Sequence, residues 1–151
     1  MAKTLGYLLT WTTYGTWLQG DERGYVKNGK ICGGNKNLMQ TNKRSQLQKA
    51  IKLSKVQRQL MQEAIRKEAV LQGQHIYALS VKSTHIHIVA RYTPQPIYKV
   101  VAYFKKAARL ALKANGHNGK LWTRGFDKRF CFDQPSLEQR IEYVQKHAKN
   151  I

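Results

Sequence analysis

The run THIHIVAR, residues 84–91, is the feature that most constrains the fold of this chain, because it alternates with a period of two. That period is typical of a β-strand, on which successive side chains point to opposite faces of a sheet. Ile86 and Ile88 therefore require a covering layer on one face, and His85 and His87 lie side by side on the other. Two neutral imidazoles at this spacing can bind one divalent metal ion. They fit a polar sheet surface or a structural zinc site as well.

The pattern around this strand predicts an α+β protein. Strand character continues in four further segments: 5–13, 75–81, 121–124 and 129–132. Helical periodicity and capping residues predict three helices: 54–71, 97–114 and 136–148. Capping boxes of Ser54 with Gln57 and of Ser136 with Gln139 mark the starts of the first and last helices. The order predicts a ferredoxin-like antiparallel sheet with helices on one face, the histidines on the open face, and an extra C-terminal helix.

Composition narrows the class of partner. The chain has 27 Lys and Arg against 8 Asp and Glu, a formal net charge of +19 over 151 residues, and such a charge attracts polyanions. Nucleic acid is the predicted partner and a membrane is not, because no apolar run approaches the roughly 20 residues of a spanning helix. The length predicts a single domain over residues 1–151. Cys32 and Cys131 form no disulfide or zinc pattern, which favours a reduced, cytoplasmic location.

Two regions carry side chains expected to contact nucleic acid. In the Gly-rich stretch after the first strand, Trp17 and neighbouring aromatics stand among basic residues and can stack on bases. A loop pinned by a few aromatics is the alternative. The helix at 97–114 carries cations that fit either a solvated face or a phosphate clamp. These cations are Lys99, Lys105, Lys106 and Arg109.

Tyr143 and His147 lie four residues apart on the predicted last helix and therefore share one face. A third imidazole and a phenol there can complete the metal site that His85 and His87 begin. An activated tyrosine hydroxyl is a nucleophile toward a phosphodiester. The alternative is that Tyr143 packs its ring on the sheet and that His147 lies near a helix C-terminus, where positive charge is favourable. Spacing alone leaves both readings open.

Two motifs together resemble a known family. The strand THIHIV (84–89) resembles the His–hydrophobic–His motif of HUH enzymes, and YVQKH (143–147) resembles a single catalytic tyrosine followed four residues later by a polar metal ligand. In this order and in a chain this short, they resemble the single-tyrosine HUH transposases, which include insertion-sequence and REP-associated tyrosine transposases. The segments LTWTTYG (9–15) and GKLWTRGF (119–126) are also similar to parts of that family, so the resemblance covers nearly the whole chain.

The resemblance implies an enzyme that cuts and rejoins single-stranded DNA beside a hairpin. Tyr143 would be the nucleophile and would leave a 5′-phosphotyrosine and a free 3′-OH. His85, His87 and His147 would bind Mg²⁺ or Mn²⁺. Relatives often have Gln or Asn at the third ligand position, and a histidine there keeps metal binding but makes it more sensitive to pH. Arg124, in the segment before the tyrosine helix, is a further predicted DNA contact.

Two other classes of function fit the same residues. A non-catalytic ferredoxin-like module that binds structured single-stranded nucleic acid predicts salt-sensitive binding without cleavage. A structural or hydrolytic metal protein would use the histidines without Tyr143. The family resemblance is compatible with a monomer and with a homodimer in which the tyrosine of one copy serves the histidines of the other.

Overall fold

A computed structural model describes residues 3–15, 25–27, 30–32 and 50–149 of the chain. In chain order the strands are β1 (Gly6–Thr12), β2 (Tyr25–Lys27), β3 (Lys30–Cys32), β4 (Ile76–Val81), β5 (His85–Arg91) and β6 (Asp127–Cys131). The helices are α1 (Lys55–Leu71), α2 (Ile97–Ala114) and α3 (Gln134–Lys149). Within this part of the chain, no helix combines the length and the apolar content needed to cross a membrane.

The main sheet has four antiparallel strands in the order β4-β5-β1-β6, and β2 pairs with β3 separately. One face of the main sheet is covered by α1 and α2, and the main hydrophobic core lies between the sheet and these two helices. The other face is covered in part by α3. The predicted ferredoxin-like α+β fold is confirmed, with two helices on one face and the extra C-terminal helix on the face that carries the histidines.

Strand alternation separates the two hydrophobic layers. Ile86 and Ile88 of β5 are fully buried in the main core, together with Leu9 of β1. On the opposite face, Leu137 and Val144 of α3 belong to a second, smaller cluster. The central strands are therefore apolar on both faces over much of their length, as expected for strands covered on both sides.

The two strands predicted before α3, at 121–124 and 129–132, differ from the structure. The segment 121–124 forms one isolated bridge, between Thr13 and Trp122, and the strand that pairs with β1 begins at Asp127. Trp122 packs edge-on against Trp11 at a centroid distance of 5.9 Å, and its Nε1–H donates to the Lys105 carbonyl at 3.0 Å. The segment is thus held by the core and by side-chain hydrogen bonds rather than by a strand ladder.

The start of α3 also differs from the prediction. The helix begins two residues earlier, because the Asp133 carboxylate accepts a hydrogen bond from the Ser136 N–H at 2.8 Å and caps the helix. Pro135 then lies in the first turn, where a backbone N–H has no helical partner in any case. The predicted second capping box is therefore wrong. The first is confirmed, with both reciprocal bonds between Ser54 and Gln57 present, at 3.2 and 2.9 Å.

Thr13 ties the end of β1 to three other segments. Its N–H donates to the Thr84 carbonyl at 2.8 Å, and its hydroxyl donates to the Ile51 carbonyl at 2.6 Å. Its own carbonyl accepts from the Thr123 hydroxyl at 2.8 Å. The side chain is fully buried. These bonds hold the β4–β5 hairpin, the approach to α1 and the approach to β6 at one corner of the sheet.

Gly6 allows α3 to pack closely on the central strands. A Cβ built on Gly6 would lie 2.6 Å from the Ala90 carbonyl oxygen and 3.1 Å from Leu137 Cδ1. The first neighbour is backbone within the sheet and cannot move without disturbing the β1–β5 pairing. Glycine is therefore required at position 6 because there is no room for a side chain, and not because of its backbone conformation.

Gly6→Ala is expected to lower the free energy of unfolding by about 1–3 kcal/mol, because the added methyl group overpacks this contact. Urea denaturation followed by tryptophan fluorescence measures the change. Gly73→Ala gives the cost of backbone strain alone for comparison, since its φ is +67° and a Cβ there meets nothing within 4 Å. A Gly6→Ala protein as stable as the native chain would contradict the close packing.

Candidate active site

Three histidines from two elements converge on the α3 face of the sheet. His85 and His87 come from β5 and His147 from the last turns of α3, and one ligand nitrogen from each lies within 4.8 Å of the others. The ring centroids are 4.8 Å apart for His85 and His87, 5.3 Å for His87 and His147, and 6.3 Å for His85 and His147. A metal–nitrogen bond is about 2 Å long, so two nitrogens that bind the same ion lie at most about 4 Å apart. Small side-chain rotations would therefore bring the three histidines around one ion.

Hydroxyl groups contact both β5 histidines at Nδ1. The β1–β5 register places Thr10 opposite His87, and Thr10 Oγ1 lies 2.8 Å from His87 Nδ1. Thr84 Oγ1 lies 3.3 Å from His85 Nδ1. A hydroxyl that accepts from Nδ1–H favours the tautomer with a bare Nε2, which is the usual arrangement behind a metal-ligating histidine. Sequence reasoning missed Thr10, since only the strand register shows which residue of β1 lies beside His87.

Burial favours the neutral form of both imidazoles. Desolvation lowers the pKa of His87 to about 4, with further contributions from the positive charges of His85, His147 and Lys82. Desolvation, followed by the charges of His147 and Lys82, also lowers the pKa of His85. Metal ions bind the neutral imidazole. The nitrogen spacing, the hydroxyls behind the rings and the neutral charge state all fit a divalent metal ion.

Tyr143 lies beside this cluster, one turn before His147 on α3. Its ring centroid is 4.7 Å from that of His147 and 5.9 Å from that of His87. The next residue, Val144, is fully buried and anchors the helix, whereas Tyr143 is 45% exposed. The phenol ring therefore contacts the histidines and remains open to a substrate that approaches from solvent.

The described residues among the predicted DNA contacts do not lie beside the histidines. The cations of α2 belong to a helix on the opposite face of the sheet from the histidines. The Lys105 ammonium donates to the carbonyls of Thr123 and Gly125 at 3.2 and 2.8 Å, and burial lowers its pKa, so it mainly holds the segment before β6. Arg124 is exposed in that same segment. Trp17 lies outside the described residues.

A groove of about 460 Å³ opens beside the histidine cluster and is lined by His85 and His147. Its other walls include three cations, Lys55 and Arg58 from α1 and Lys82 from the β4–β5 hairpin. The sequence pattern did not predict a role for these three cations. Cations on α1 look like an ordinary solvated helix face until the hairpin is packed beside them.

Comparison with known proteins gives structural matches only. No protein-family model matches the chain, and no curated protein sequence matches it. Among solved structures, a REP-associated tyrosine transposase bound to a REP hairpin matches with a TM-score of 0.59 and 13% identity, over 95% of this chain and 67% of that chain. A protein of Deinococcus radiodurans R1, solved as a candidate transposase, matches with a TM-score of 0.51 and 18% identity, over 97% of this chain and 93% of that chain. At these identities the likeness is one of fold, and this chain has the fold of these two proteins.

Proposed function

We propose that this protein is a metal-dependent enzyme that nicks and rejoins single-stranded DNA through a covalent bond to Tyr143. The observation that carries the proposal is the contact of the exposed Tyr143 ring with His87 and His147, at centroid distances of 5.9 and 4.7 Å. A nucleophile and three candidate metal ligands thus share one small patch. The net charge of +19 supports a polyanionic substrate. The shared fold with a transposase bound to a REP hairpin supports a DNA hairpin.

The histidine cluster determines where the scissile phosphate binds. Mg²⁺ or Mn²⁺ held by His85, His87 and His147 would polarise a non-bridging oxygen of that phosphate. Histidine-rich ligation also suits Zn²⁺ or Ni²⁺. The Thr10 hydroxyl keeps the His87 ring oriented, and burial keeps it neutral at physiological pH.

The reaction at Tyr143 exchanges one phosphoester bond for another. The phenol oxygen attacks the phosphorus and loses its proton to water, the P–O3′ bond breaks, and the 3′-oxygen takes a proton from water. The DNA then remains attached to Tyr143 through its 5′-phosphate. Attack by a free 3′-OH on this phosphotyrosine reverses the step and releases the phenol. No nucleotide hydrolysis is needed, because the phosphodiester is conserved as the tyrosine ester.

Tyr143→Phe is expected to abolish covalent attachment while leaving DNA binding within about twofold of the native value, because only the nucleophilic oxygen is removed. The assay incubates a labelled hairpin from the DNA flanking the gene with protein and Mn²⁺, followed by a denaturing gel. Tyr98→Phe is the matched control, since it removes an exposed phenol on α2 across the sheet. An adduct that persists in Tyr143→Phe would show that another residue is the nucleophile. Binding without any adduct in the native protein would favour the non-catalytic module.

Mn²⁺ is expected to raise the melting temperature of the native protein, because an ion that binds only the folded chain stabilises it by mass action, by about 2.7 kcal/mol at a hundredfold excess over Kd. His87→Ala should remove most of this shift. His75→Ala is the control, as an exposed histidine outside the cluster. Equal shifts in the two variants would place the metal elsewhere.

Acid is expected to destabilise the metal-free protein through His87. The folded state lowers the pKa of His87 to about 4 from the ordinary 6.5, so the unfolded chain binds more protons between these values. This contribution to stability is therefore complete above about pH 6.5 and is lost as the pH falls toward 4. Urea denaturation in EDTA at about pH 7 and pH 5 measures it. His87→Gln, which cannot titrate, should lose less stability over this range, and an equal loss would contradict the assignment.

A further inference from the structure

The groove beside the histidines is built by three elements that the backbone holds together. The Leu53 N–H donates to the Ser83 carbonyl at 2.7 Å, and this bond fixes the approach to α1 against the β4–β5 hairpin. His147 and Ala148, at the end of α3, close a third side. The groove is therefore a feature of the folded sheet and its helices.

The lining of the groove suits a chain of phosphates. Of the described residues that line it, none is acidic, and Lys55, Arg58 and Lys82 are cations. Gln59 and Gln62 add side-chain amide donors from the same helix. Partial burial and the nearby charge of Arg58 lower the pKa of Lys82, so these two cations repel each other. A bound polyanion would relieve that repulsion.

Two elements lead from the groove to the nucleophile in the same order. On β5, His85 lines the groove, and His87 follows two residues later beside Tyr143. On α3, His147 lines the groove, and Tyr143 lies one turn before it, on the side away from the groove. Tyr143 and His87 do not line the groove. The histidine cluster thus lies between the groove and the phenol.

The order of groove, histidine cluster and Tyr143 indicates which cleaved strand lies in the groove. In-line displacement places the attacking and leaving oxygens on opposite sides of the phosphorus. A phosphate bound at the cluster and attacked by Tyr143 therefore releases its 3′-oxygen toward the groove. We infer that the groove binds the backbone phosphates of the strand that ends in this 3′-OH and retains that strand for rejoining. The inference rests on the proposed function.

The size and position of the groove support this role. Its volume of about 460 Å³ lies within the range of small-ligand pockets, about 300–1,000 Å³. A strand held there keeps its 3′-OH next to the phosphotyrosine. The reverse reaction is then effectively intramolecular, which raises its rate without any additional catalytic group.

The first experiment measures retention of the 3′-OH strand by the full-length protein. A hairpin substrate labelled at its 5′ end is incubated with Mn²⁺ and passed through a gel-filtration column under native conditions. The native protein should carry the labelled fragment after cleavage, and the double variant Arg58→Gln/Lys82→Gln should release most of it. Lys67→Gln removes an exposed cation of α1 that does not line the groove and should retain the fragment. Retention by the double variant equal to that of the native protein would overturn the assignment.

A second experiment separates the groove from the chemistry. The affinity for a fluorescent oligothymidylate of about eight nucleotides is measured against salt concentration, without metal, by anisotropy. The double variant Arg58→Gln/Lys82→Gln should lose two phosphate contacts. The slope of log affinity against log salt concentration should then fall in magnitude by about 1.4, since each contact to a single strand contributes about 0.7. Lys67→Gln should leave the slope close to the native one. Failure of the native protein to form an adduct would contradict the proposed function. An unchanged slope in a double variant that still forms the adduct would overturn the groove assignment alone.

Discussion

The antiparallel pairing of β1 with β5 is the constraint on which the rest of this structure depends. Its register opposes Leu9 to Ile88 and Thr10 to His87, so one strand pair supplies both the floor of the main core and the hydroxyl behind an imidazole. A slip of one residue would bury the histidines beneath α1 and α2 and expose the isoleucines. Because Ile86 and Ile88 are fully buried, the hydrophobic effect that builds the core also fixes the histidines on the opposite face.

The fold, and the proximity of the four side chains of the candidate site, could be predicted from sequence because their signals are local. The period of two in residues 84–91 and the four-residue spacing of Tyr143 and His147 each act within one element. The partners of those residues are non-local. Thr10 became part of the site only through strand register. Asp133 caps α3, although Ser136 was predicted to do so. Both residue types are good N-caps, so the sequence alone does not show which of the two is used.

Charge was the least specific of the sequence signals. Lys105 illustrates the reason, since a side chain expected on a phosphate-binding surface uses its ammonium group on two backbone carbonyls. Lysine can serve a structural role or an interface, and its position on a helix does not distinguish them until neighbouring segments are placed. The cations that line the groove beside the histidines are instead Lys55, Arg58 and Lys82, which α1 and the β4–β5 hairpin bring together.

The attachment of α3 to the sheet is coupled to the candidate metal site. The helix is held on the sheet by the smaller of the two apolar clusters, through Leu137 and Val144, and it supplies one of the three imidazoles. An ion that binds all three more tightly than the two on β5 alone must stabilise the docked helix by that same free energy. Tyr143 travels with this helix. An ion bound at the three histidines would therefore hold α3 on the sheet, and under the proposed function the availability of metal would set the position of Tyr143.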